Sequence, residues 1–130
     1  MTLTREGEYA VRCMLELAKN YGKERLSTKA VAAKQEIPPV FLTKILKILI
    51  KGGLVVSQRG PSGGIMLAKP PSEITLREVV EIVEGPFALN ICLSEAGQCT
   101  RKPHCKVHQV WYKAQDAMLK ELDVPLDKLL

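Results

Sequence analysis

The sequence predicts a mainly α-helical fold with a small β-wing and a long C-terminal helix. Three observations carry this prediction: apolar residues recur at helical spacing in five stretches, two short β-prone runs flank a glycine-rich turn, and capping or breaking residues stand at the borders.

The first helix spans Thr4 to about Asn20, with Tyr9, Ala10, Cys13, Met14, Leu17 and Ala18 on one face and a stop near Gly22. Ser27 caps a short second helix whose inner positions are Ala30, Val31 and Ala33 and which ends near Glu36. Pro38 and Pro39 open a third, because proline is tolerated in a first turn and not in an interior. That helix runs to about Lys51, where Gly52 and Gly53 stop it. Its apolar side is Phe41, Leu42, Ile45, Leu46, Ile48 and Leu49, and Thr43, Lys44, Lys47 and Lys51 line the opposite face.

Leu54, Val55 and Val56, then Ile65, Met66 and Leu67, read as two strands joined by Arg59-Gly60-Pro61-Ser62-Gly63-Gly64. Thr75 caps a fourth helix that turns Leu76, Val79, Val80 and Val83 inward and ends at Gly85 and Pro86. A polar loop with Cys92, Cys99 and Cys105 follows. The last helix repeats Val107, Trp111, Ala114, Met118 and Leu122 at spacings of three or four, a stripe that needs another helix to cover it. The same helix of a second copy would serve.

Composition narrows the function classes. At 130 residues with 46% hydrophobic residues the chain fits one continuous domain with a modest core. No secretory leader or membrane-spanning stretch is evident, so a cytoplasmic protein without membrane attachment is expected. Four cysteines in a reducing compartment point to packing, redox or metal binding rather than disulfides. The net charge of +5 is uneven: residues 1–69 hold twelve Lys/Arg against five Asp/Glu, and residues 70–130 hold seven against nine. A basic N-terminal half suits a polyanion. No nucleotide-binding glycine motif, serine triad or paired-acid arrangement argues for an enzyme.

Two short helices, a basic third helix and a strand-turn-strand make a winged helix-turn-helix, whose third helix faces the major groove of double-stranded DNA while the wing lies beside it. The candidate contacts are Thr28 and Lys29 at the start of the second helix, Pro39, Thr43, Lys44, Lys47 and Lys51 on the third, and Arg59, Ser62 and Gly63 on the wing. A lysine face also arises from solubility alone, and a tight turn with a surface arginine would resemble the wing. On this reading residues 1–70 form the DNA-binding region. Residues 71–130 carry the cysteine loop, at about 90–108, and a dimerisation helix.

The cysteine spacing is Cys92-x6-Cys99-x5-Cys105-x2-His108. Three soft thiolates within one loop favour an iron-sulfur cluster, zinc or cuprous ion over hard cations, and a thiol-based redox-sensing loop without a cluster is the alternative on the same DNA-binding fold. Cys105 and His108 stand at i and i+3, on one face of a starting helix, so His108 is a candidate fourth ligand. A Cys3His set suits structural zinc equally well, although the usual close cysteine pair is missing. Cys13 reads as a buried, inert thiol.

The run Thr4 to Ala10 (TREGEYA), Ile37-Pro38 with Phe41-Leu42, Gly53-Leu54-Val55, the wing Arg59 to Gly64, and the cysteine loop with its final helix resemble the IscR/NsrR superfamily of bacterial regulators. The resemblance covers essentially the whole chain. It implies a homodimer on a near-palindromic promoter site. It also implies an iron-sulfur cluster on Cys92, Cys99 and Cys105, with 2Fe-2S preferred over 4Fe-4S and DNA affinity dependent on the cluster. His108 matches the fourth ligand of IscR-like members. An acidic residue supplied by the other subunit, here Glu8, is the alternative, and His104 a lesser one. Ile65 departs from the aromatic that often follows the paired glycines, and the first cysteine gap is longer than is common in the family.

Overall fold

A computed structural model of the chain describes residues 3–61, 63–94 and 102–130. Helix α1 (Arg5–Lys19) is central. The hydroxyl of Thr4 accepts the Gly7 N–H at 3.2 Å, which satisfies one of the amides that a helix start leaves without a partner. All six residues of the predicted stripe, from Tyr9 to Ala18, are buried.

Helix α2 (Thr28–Lys34) is capped by Ser27, whose Oγ accepts the Ala30 N–H at 3.0 Å. Its buried residues are Val31 and Ala32, while Ala30 and Ala33 are exposed. Two turns of alanine-rich sequence carry too weak a stripe to fix which way the helix is rotated. Glu36 then adopts a left-handed conformation, φ 53°, and turns the chain so that Ile37 enters the core.

Helix α3 (Pro39–Lys51) buries Leu42, Ile45, Leu46 and Leu49. Two positions expected inside are not: Phe41 is 43% exposed, and Ile48 is half-buried. They flank the stripe, and Phe41 lies tilted against Tyr9 at 6.0 Å between ring centroids.

Strands β1 (Val55–Gln58) and β2 (Gly64–Leu67) pair antiparallel with Val55 opposite Leu67 and Gln58 opposite Gly64. Leu26 adds a third rung on the free side of β2: Leu26 and Ile65 exchange both backbone hydrogen bonds, at 3.1 and 2.7 Å. The base of the wing admits no side chain. A Cβ on Gly63 would stand 2.1 Å from the carbonyl oxygen of Gln58, and one on Gly64, at φ 142°, would stand 2.5 Å from that of Leu26.

Helix α4 (Leu76–Glu84) starts at Thr75, whose hydroxyl accepts the Glu78 N–H at 3.1 Å, and buries Val79 and Val80. Leu76 and Val83 are only half-buried. Helix α5 (Lys106–Leu122) buries none of its residues against its own chain. After it the chain folds back: the Leu76 N–H donates to the Val124 carbonyl and the Leu126 N–H to the Ile74 carbonyl, each at 2.9 Å. Leu126 is thereby fully enclosed, in the same core as α1, α3, β1 and β2. Eight residues without periodicity concealed this contribution.

One charged side chain lies in that interior. Glu16 on α1 is buried, with Oε1 2.8 Å from Lys34 Nζ and Oε2 accepting from Gln35 Nε2 at 2.7 Å, so it ties α1 to the end of α2. Burial pushes its carboxyl upward, but the hydrogen bonds of Lys34 and Gln35 and the charges of Lys34 and Lys19 outweigh it, leaving the group below its ordinary value.

Two outcomes follow. Leu126→Ala empties a closed site and should cost about 3 kcal/mol, lowering the melting temperature by about 10 °C; an unchanged melt would mean the C-terminal turn does not seal the core. Because the folded-state pKa of Glu16 lies below the unfolded one, its contribution is complete above the ordinary value near 4.5 and drains away as pH falls through and below it. Urea midpoints measured from neutral pH down to pH about 3 should therefore fall less steeply for Glu16→Gln than for the wild type.

Candidate nucleic-acid interface and cysteine site

Helix α3 turns one polar face outward. Pro39, Thr43, Lys44, Lys47 and Lys51 are all exposed. The hydroxyl of Thr43 donates to the Pro39 carbonyl at 3.0 Å, so its proton is engaged while the oxygen keeps acceptor capacity. Val40, 82% exposed, stands three residues before Thr43 on this face. Residue type and charge alone do not single it out. A helical projection would have found it, since a valine on the lysine side breaks the pattern, and a small apolar group there is suited to a thymine methyl.

Several cations pair with carboxylates of the chain, Arg12 with Glu8 at 2.5 Å, Lys34 with Glu16 at 2.8 Å, Lys69 with Glu78 at 3.2 Å and Lys120 with Asp116 at 2.9 Å, while others, on this surface and away from it, do not. Among the described residues Lys29, Lys47, Lys51 and Arg59 have no such carboxylate. Lys44 departs from the others, with its Nζ 2.7 Å from Glu6 Oε1. Arg59 is exposed just past β1, and Gly63 is half-buried before β2. Thr28 is half-buried in the first turn of α2, and Ser62 lies outside the described residues.

The cysteine segment is partly described, and Cys99 lies outside that part. Cys92 is buried in a 3-10 turn (Ile91–Leu93) that packs against α5. Cys105 is the N-cap of α5, and its Sγ accepts the backbone N–H of His108 at 3.4 Å. The imidazole of His108 is half-buried, and its Nδ1 is closed off from solvent with no hydrogen-bond partner among the described residues. Such a ring nitrogen is uncommon without a ligand. Among the described residues no three His, Cys, Asp or Glu side chains converge as a metal site.

The remaining candidates separate cleanly. Glu8 lies against Arg12, whose guanidinium also sits 5.6 Å over the Tyr9 ring and donates to the Gln35 carbonyl at 3.4 Å. His104 is exposed. Cys13 is fully buried, and burial first, then the charge of Glu16, pushes its thiol up to about 12, so it is unreactive at neutral pH. Between α1, α4 and α5 runs an apolar groove of about 410 Å³, lined by Val11, Val80, Phe87, Met118 and Leu122, with Glu8 and Arg12 along it.

A helical head with a two-stranded wing, offering cations from a solvent-facing third helix, belongs to the winged helix-turn-helix regulators of transcription. The chain is a member of the Rrf2 family, described as iron-dependent transcriptional regulators, which its residues 3–129 match. It is 36% identical over 124 residues to the HTH-type transcriptional regulator NsrR of Geobacillus kaustophilus, an alignment covering 95% of this chain and 84% of that protein. The solved structure of T. potens IscR superposes with a TM-score of 0.79 at 26% identity, covering 99% of this chain and 85% of the other. That of CymR, the global cysteine regulator of B. subtilis, does so with a TM-score of 0.82 at 27% identity, covering 99% and 95%. The chain is thus a transcription regulator and not an enzyme. Among the described residues no helix is long and apolar enough to cross a membrane.

Proposed function

We propose that this regulator acts in the cytoplasm as a homodimer on near-palindromic promoter DNA, and that an iron-sulfur cluster, 2Fe-2S in preference to 4Fe-4S, modulates its DNA affinity. Cys92, Cys99, Cys105 and His108 would hold the cluster. The observation that carries the reading is the solvent-excluded, partnerless Nδ1 of His108, one turn along the helix that Cys105 caps. A peptide N–H directed at the Cys105 sulfur is the kind of hydrogen bond that supports a metal-bound thiolate. Glu8 is the weaker candidate because Arg12 already claims its carboxylate.

When bound, a cluster would cross-link the thiolates that hold it, a link that its loss would undo. The protein's part is mechanical. The Cys92 turn packs on α5, and Cys105 caps that helix, so ordering the segment fixes where α5 begins. In a dimer built on α5, residues 71–130 would set the spacing of the two heads formed by residues 1–70.

The dimer rests on the state of α5. Val107, Val110, Trp111 and Ala114 lie along one side of the helix and are all exposed, Val110 to 62% and Trp111 to 40%. A second copy of α5 would cover this row and close the groove beside Met118 and Leu122.

Anaerobically purified protein should carry visible absorbance with matching iron and sulfide, and alanine at Cys92, Cys99 or Cys105 should abolish it. Colourless protein with one zinc per chain would replace the cluster by a zinc staple. Cluster-loaded and cluster-free preparations should differ in promoter affinity by about tenfold or more; equal affinities would remove the switch. Trp111→Glu should convert the dimer to monomer in sedimentation velocity, and an unaltered wild-type dimer would exclude α5 as the seam.

A further inference from the structure

One of the predicted DNA cations is held inside the protein. Lys47, Lys51 and Arg59 meet no carboxylate among the described residues, whereas Lys44 Nζ lies 2.7 Å from Glu6 Oε1, on the first turn of α1. Resting on the DNA-binding reading of α3, we propose that Glu6 occupies the place of a DNA phosphate at Lys44 and so sets how tightly the head grips the duplex.

The turn that carries Glu6 is fixed. The hydroxyl of Thr4 donates to the carboxylate of Glu84 at the end of α4, while its oxygen accepts the Gly7 N–H. Gly7 is buried, with the Glu84 carboxylate and the Leu3 side chain lying against it. Anchored on both sides, this turn directs Glu6 at α3, across 38 residues of sequence.

The pair is also exchangeable. The Lys44 side chain is 63% exposed and that of Glu6 31%, so both ends remain partly hydrated and the attraction is weak. A phosphate presented to the α3 face can displace the carboxylate. The contrast is Lys34, whose partner Glu16 is buried and cannot be exchanged for a group from solution. Until displacement occurs, Lys44 is neutralised internally and gives no net charge to the approaching DNA. A direct repulsion of the DNA backbone by Glu6 would be a separate, general charge effect.

Substitution separates these effects. Glu6→Gln frees Lys44 and should tighten binding of the full chain to a fluorescent mixed-sequence duplex roughly two- to fivefold at low salt. This tightening should vanish in a Lys44→Gln background, since the proposed action passes through that lysine. Thermal melts of each variant establish that folded proteins are compared. Equal tightening with and without Lys44 would overturn the proposal by showing a general charge effect, and unchanged or weakened binding by Glu6→Gln would overturn it as well. Wild-type protein that binds no duplex at any salt is a different failure, one that removes the DNA-binding reading itself.

Discussion

The whole structure depends on burying one side of α1. Helix α3, β2, α4 and the C-terminal turn all pack against it, and α2 is joined to it by the buried Glu16 carboxylate. A chain of this size has room for one core, so a single helix serves as its axis; β1 is carried by β2 and α3, and α5 by α4 and the Cys92 turn. The arrangement leaves the two ends of α1 with different work. Its last turns lie against α2 through Glu16 and Gln35, and its first turn reaches both the end of α4 and the lysine face of α3. A displacement at the start of α1 is therefore felt in the reading head without any long relay.

Apolar spacing made most of this legible, and its failures have physical causes. The stripe of α1 and the inner face of α3 are strong enough to name Met14, Leu17, Leu42 and Ile45 as core from periodicity alone. Polar caps at Ser27 and Thr75 marked helix starts to within a residue, because the side-chain oxygen that fills an orphan amide is a local event. Helix α2 was recognised, but not its rotation, since alanines are apolar in every direction. The return of Leu126 to the core is a tertiary event in a stretch with no repeat, and no local signal announces it.

The candidate site was legible in kind more than in arrangement. Thr43, Lys47 and Arg59 are where a basic helix and a glycine wing should place them, exposed to solvent. Lys44 looked equivalent to Lys47 because a helical projection knows nothing of neighbouring helices, and only the fold brings Glu6 to it. Val40 escaped notice because an apolar residue is assigned inward by default. The pairing of Cys105 with the amide of His108, by contrast, follows directly from their spacing at a helix start.

The return of the chain end to the core bears on how the protein is made. The DNA-reading head is encoded first, yet Leu126, which closes its interior, follows α1 to α5 along the chain. A nascent chain leaving the ribosome can assemble α1 to α4 only with an apolar gap still open. A chain cut before Leu126 would leave that gap unfilled, so the stability of the reading head depends on a residue far outside it in sequence.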